Sequence, residues 1–113
     1  MKWILLVAVM AALTMVAAPE ARADAVQDGI NARCAGEWPD DFRMQKYCRK
    51  KQAEGVKVVA KWMRDHNITD GQQRTAWGRM FRSCSADWGN GGNADWRMLA
   101  YCLKKQTDAY KSL

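Results

Sequence analysis

A single histidine, His66, stands among the 113 residues, and that scarcity removes whole classes of chemistry. A hydrolase of the Ser–His or Cys–His kind needs an imidazole beside its nucleophile and an acid to orient it. Ser83 and Ser85 flank Cys84, but nothing marks either as activated. His66 falls instead in the stretch Arg64 to Asp70, which reads as the end of a helix, where a basic side chain meets the negative end of the dipole. Close cysteine pairs are also missing. Zinc sites favour C-x2-C spacing and haem attachment needs C-x-x-C-H. Here thirteen residues separate Cys34 from Cys48 and seventeen separate Cys84 from Cys102. No catalytic set, metal ligand set or cofactor motif is therefore assigned. No stretch alternates apolar and polar residues as a half-buried strand would. The only long uncharged apolar run, Trp3 to Ala18, holds 16 residues, short of the ~20 that a membrane-spanning helix requires.

That run explains itself by its neighbours. Met1-Lys2 supplies a positive start, and Ala21-Arg22-Ala23 puts small residues where a signal peptidase reads. The layout predicts a cleaved secretory signal over residues 1–23 and a mature chain over 24–113, a length that suits one small domain. No transmembrane segment is expected once the signal is gone, and the location expected is the periplasm or the medium. Removing Lys2, Arg22 and Glu20 leaves 16 basic and 11 acidic residues, a net charge of +5. That charge suits an anionic envelope component or an acidic protein partner; nucleic acid is not expected as the partner of an exported chain.

All four cysteines lie in the mature part, and an even count in a small exported domain reads as two disulfides. Their pairing follows from a repeated phrase. Residues 34–52 and 84–106 share one pattern: Cys, two small residues, an acid, Trp, a gap, then Asp–aromatic–Arg–Met, two variable residues, Tyr–Cys, one variable residue, and Lys–Lys–Gln. The gap is Pro39-Asp40 in the first copy and Gly89 to Ala94 in the second. A match of this length is an internal duplication. The variable part is rich in turn formers, so each copy is helix, turn, helix, with Asp41 and Asp95 placed to cap the second helices. Bonds from Cys34 to Cys48 and from Cys84 to Cys102 would staple each hairpin at similar heights on its two helices. Pairing 34–84 with 48–102, or 34–102 with 48–84, stays open at this stage.

Residues at helical spacing, nearly all apolar, support this reading: Trp77, Met80, Phe81, Cys84 and Trp88, then Leu99, Cys102, Leu103, the polar Gln106, Tyr110 and Leu113, and between the copies Val56, Val59, Ala60, Trp62 and Met63. Gly55 is expected to bend this last segment or break it from the helix before, and Thr69 or Asp70 to cap the next helix. The fold class is all-α: two duplicated disulfide-stapled helical hairpins, related by a pseudo-twofold and packed as one small bundle.

Two functional readings compete. Trp38, Phe42 and Arg43 in one copy, and Trp88, Trp96 and Arg97 in the other, can form matched recognition ends, since Trp and Arg are enriched at binding hot spots. The repeated acids Glu37, Asp41, Asp87 and Asp95 could serve a small cell-wall or glycan hydrolase, but two equivalent pairs do not give the contrast between one acid and one base that such catalysis needs. The expectation is a non-enzymatic interaction module of unknown partner, with a hydrolase or a periplasmic stress or structural role as alternatives.

Overall fold

The computed structural model describes residues 19–68, 74–89 and 93–113, with side chains from residue 23 onward. The apolar run Trp3 to Ala18, read above as part of a signal, lies outside the described residues, as do Thr69 and Asp70. Four helices and no strand occur among the described residues: α1 (Pro19–Glu37), α2 (Phe42–Asp65), α3 (Ala76–Trp88) and α4 (Trp96–Lys111). α1 continues through the expected cleavage point after Ala23.

α2, α3 and α4 each begin where the sequence provides an acceptor. Asp41 takes the Met44 N–H at 3.0 Å and Asp95 takes the Met98 N–H at 3.2 Å, so both aspartates cap as their place in the phrase predicts. α3 is capped by Thr75, which accepts from the Gly78 N–H at 3.0 Å. This is a later residue than the expected Thr69 or Asp70. α2 ends at His66, whose N–H bonds back to the Arg64 and Trp62 carbonyls. Asn67 then turns the chain out at φ 53°, a left-handed conformation that Asn tolerates.

The disulfides join Cys34 to Cys48 and Cys84 to Cys102, with Cα–Cα distances of 5.6 and 5.7 Å. Both rival pairings are thereby excluded. One bond ties α1 to α2 and the other ties α3 to α4. Their loops are of similar length, and closing such a loop in the unfolded chain is worth about 3 kcal/mol.

The helices neighbour one another in the order α1, α2, α4, α3. Ile30, Cys34 and Cys48 form a small core between α1 and α2, with Val26 and Val56 at its edge. A larger core gathers Val59, Trp62, Cys84, Leu99, Ala100 and Leu103 where α2, α3 and α4 meet. Trp96 packs against both cores and joins them. Burying each large aliphatic side chain here is worth about 1.5–3 kcal/mol.

Two sequence expectations change on contact with these helices. Gly55 does not break α2, which runs unbroken for 24 residues. Gly55 is buried instead against the first turn of α4: a Cβ added there would sit 2.6 Å from the Trp96 carbonyl carbon and oxygen. The helix keeps a glycine because another backbone passes close by. The pseudo-twofold is also replaced. Gln52 bonds to Asp95 and Trp96, and Trp62 bonds to Thr107, so α2 and α4 run parallel at sequence offsets of 43 to 45. Equivalent positions of the phrase, such as Asp41 and Asp95, are 54 apart. The second copy is thus shifted by about ten residues along the shared direction, roughly 15 Å at 1.5 Å per residue. A closed twofold would have placed like residues side by side.

Two measurements test this account. Replacing Cys84 and Cys102 together by Ala is expected to lower stability by about 3 kcal/mol, read from urea unfolding; a midpoint matching the parent would refute the stapling role. Gly55→Ala is expected to destabilise by about 1–2 kcal/mol despite the better helix propensity of Ala. Gly36→Ala, whose Cβ would meet nothing within 4 Å, should stabilise by up to ~1 kcal/mol. Equal effects at the two glycines would sink the close-approach argument.

Candidate functional site

The offset leaves a step. The first three turns of α2 project beyond the start of α4, and beside that step lies a groove of about 730 Å³. Its walls come from the end of α1 and its turn (Glu37, Trp38), from α2 (Met44, Tyr47, Cys48, Lys51, Gln52) and from α4 (Asp95, Arg97, Met98, Tyr101). Met44 and Met98 occupy one position of the repeated phrase, and Tyr47 and Tyr101 another. The groove therefore brings together the same two side-chain types from both copies.

The tyrosines are half exposed, Tyr47 at 48% and Tyr101 at 55%. Each sits one residue before a disulfide cysteine. About 100° of helical rotation carries it from the stapled face to the rim of the groove. Each also has a lysine one turn later: Lys51 Nζ lies 5.5 Å from the Tyr47 ring centre, and Lys105 Nζ lies 5.4 Å from that of Tyr101. Such cation–π contacts hold an exposed ring in place. The methionines add a deformable apolar floor.

The floor is anchored by polar contacts from three helices. Gln52, only 5% exposed, donates from Nε2 to Asp95 Oδ1 at 2.9 Å and accepts the Trp96 N–H at 2.7 Å. Arg33 donates from its Nη2 to Asp95 Oδ2 at 2.9 Å and from Nη1 to the Asn93 carbonyl at 3.2 Å. Its Nε stands 3.1 Å from Glu37 Oε1, close enough for an ion pair but not aligned as a hydrogen bond. Both carboxylates that border the groove thus attend the same guanidinium. Asp95 is further committed to Gln52 and to capping α4. Asp41 is committed to capping α2.

The six candidate binding residues scatter. Trp38, 39% exposed, and the exposed Arg97 line the groove. Phe42 is 77% exposed and borders a separate hollow of about 250 Å³ with Gln45, Lys46 and Arg49. Arg43 is exposed on the outside of α2. Trp88 is 37% exposed at the end of α3, away from the groove lining. Trp96 is half-buried between the two cores and belongs to the scaffold. Because α2 and α4 are parallel and staggered by about ten residues, the starts of the two helices stand at different heights. Tyr47, Tyr101, Met44, Met98 and Lys51 were not singled out from the sequence. The signal that pointed to them was the retention of Met and Tyr in both copies at positions no cap or staple requires.

Elsewhere, His66 stacks on Trp77 with ring centres 3.9 Å apart and lies 4.7 Å from Trp62, so the lone histidine is part of an aromatic cluster. A shallower hollow of about 260 Å³ between α2 and α4 is lined by Val58, Trp62, Ala100 and Thr107, with charged residues around it. On its edge Asp65 is held below the usual carboxylate range, chiefly by its hydrogen bond from Lys61. Among the described residues no group of His, Cys, Asp and Glu could hold a metal ion, and no helix is long and apolar enough to cross a membrane. Comparison of the chain with family models, curated proteins and solved structures gives no match.

Removing the Gln52 side chain tests the groove's foundation. Gln52→Ala leaves the Trp96 N–H without its partner and takes one of two donors from Asp95 Oδ1, and is expected to cost about 2 kcal/mol. Amide exchange at Trp96 to Met98 should accelerate more than exchange in α1. Unchanged exchange there would show that Gln52 does not hold the start of α4.

Proposed function

We propose that the chain is an exported, non-enzymatic binding module whose groove between α2 and α4 grips an extended segment of a partner protein. The observation that carries this reading is the convergence of Met44 and Tyr47 with Met98 and Tyr101 in one open groove. Half-exposed tyrosines supply large contact area at low entropic cost, and Lys51 and Arg97 supply charge at the rim. Aromatic and arginine side chains around a concave, mostly apolar surface are what peptide-binding grooves use. An acidic or aromatic segment fits the lining best.

Export to the periplasm or medium belongs to the same proposal. It is supported by the signal-like start of the sequence and by two disulfides that leave no free cysteine. The two hairpins are proposed to descend from one duplicated unit, on the strength of the phrase shared by residues 34–52 and 84–106. A hydrolase acting through Glu37 with Asp95 is the weaker reading, since Arg33 engages both carboxylates.

The test is selection of peptides from a random library on the oxidised, processed protein. Selected peptides are expected to lose at least tenfold in affinity on Tyr47→Ala and on Tyr101→Ala, while Phe42→Ala binds as the parent does and all variants melt alike. Failure to select any peptide, or tyrosine variants that bind normally, would overturn the groove. Turnover of peptidoglycan abolished by Glu37→Gln would establish the hydrolase instead.

A further inference from the structure

The solvent face of α2 carries a second surface that the groove does not use. Arg43, Lys46, Lys50, Lys57, Lys61 and Arg64 recur at spacings of three, four, seven, four and three residues. At 3.6 residues per turn they fall within a sector about 60° wide. All six are exposed. The buried face of the same helix, Cys48, Gln52, Gly55, Val59 and Trp62, points about 180° away. From Arg43 to Arg64 the stripe runs roughly 32 Å along the axis.

Little opposes this charge locally. α2 contains only two acids, Glu54 and Asp65. Glu54 pairs with Lys51, which lies off the stripe, at 3.4 Å; Asp65 pairs with Lys61 at 2.6 Å. The other five cations have no ion-pair partner among the described residues. A row of like charges held along one rigid helix repels itself, and an anionic surface relieves that repulsion. Three exposed apolar side chains flank the row on the same outward half of the helix: Phe42 at 77%, Tyr47 at 48% and Val58 at 51%. A dissolved polyanion would find no use for these three; the interfacial zone of a bilayer would bury them.

We infer that the outer face of α2 is a peripheral docking surface for anionic phospholipid, with the six cations over the headgroups and Phe42, Tyr47 and Val58 at the boundary of the acyl region. The inference needs no peptide and rests on six cations that do not line the groove; of its residues only Tyr47 also borders the groove. Binding of this kind is reversible, weakens with salt as charges are screened, and takes about a fivefold contribution from each cation near the surface.

The experiment uses processed, oxidised protein and vesicles of equimolar phosphatidylcholine and phosphatidylglycerol, with pure phosphatidylcholine as the control. Binding is expected only to the anionic vesicles and should vanish at high salt. The triple variant Lys46→Gln, Lys50→Gln, Lys57→Gln should bind roughly 100-fold more weakly. The triple variant Arg74→Gln, Lys105→Gln, Lys111→Gln removes the same charge elsewhere and should lose less than about tenfold. Phe42→Ala should lose about fivefold to tenfold. These are exposed positions, so melting curves are expected to stay within a few degrees of the parent. Absence of binding at low salt overturns the inference, as does an equal loss in the two triple variants. Normal vesicle binding by Phe42→Ala, together with tight binding to soluble polyphosphate, would assign the stripe to a dissolved polyanion instead.

Discussion

The seating of the first turn of α4 on the middle of α2 is the contact from which the rest of the molecule follows. A helix start exposes N–H groups that have no partner within the helix. Here one is met by the helix's own Asp95 and another by Gln52 from the neighbouring helix. Gln52 also donates to Asp95, so a single buried amide fixes both the cap and the backbone it serves. Gly55 stands one turn further along and lets the two backbones approach to a distance that any side chain would prevent. Polar satisfaction at Gln52 and steric permission at Gly55 select one register between α2 and α4. That register places Trp96 between the two cores and opens the groove beside the overhang.

The two disulfides cannot do this work. Each bond closes a hairpin on itself, so together they set α1 against α2 and α3 against α4 but say nothing about how one hairpin meets the other. The second copy differs from the first just where the meeting occurs. Gln45 in the first copy is buried and donates to the Trp38 carbonyl, tying down its own turn; its counterpart Leu99 is buried in the larger core. Gln52 reaches across to α4, whereas its counterpart Gln106 is exposed. The position of Gly55 is held in the second copy by Ala109, whose Cβ would block the same close approach. The docking surface is therefore present once.

Much of the scaffold was legible because local rules carry it. Asp41 and Asp95 read as caps from their place before apolar-periodic segments, and a constant spacing around a variable gap favoured the hairpin staples over their rivals. What was not legible is the relation between hairpins. A repeated sequence suggests equivalent environments, and equivalence suggests a twofold; the stagger comes from one glycine and one glutamine whose counterparts changed. Gly55 read locally as a defect in a helix, because propensity sees the missing side chain but not the second backbone that needs the space. The placement of the candidate residues was hidden for a related reason. Tryptophan and arginine were weighted by residue type, yet Trp96 is the junction of the cores. Tyr47 and Tyr101 become a pair only once the stagger is known, since they come from different heights on two parallel helices.

α2 consequently serves three surfaces around its circumference. One sector is buried, a second forms the wall of the groove through Met44, Tyr47 and Lys51, and a third carries the cationic row. An α-helix has room for such a division because its side chains advance by about 100° per residue, so neighbouring residues such as Tyr47 and Cys48 can serve different surfaces. Rigidity links them. Tyr47 borders both exposed sectors, and the Cys48 staple fixes its backbone immediately alongside. A shift of α2 relative to α4 would have to break the Gln52 bonds and move Trp96 out of both cores, so the groove's shape is fixed by the same packing that stabilises the fold. The outer row depends on none of these contacts. It needs only that α2 stay helical from Phe42 to Asp65, which the Asp41 cap and the buried face opposite both secure.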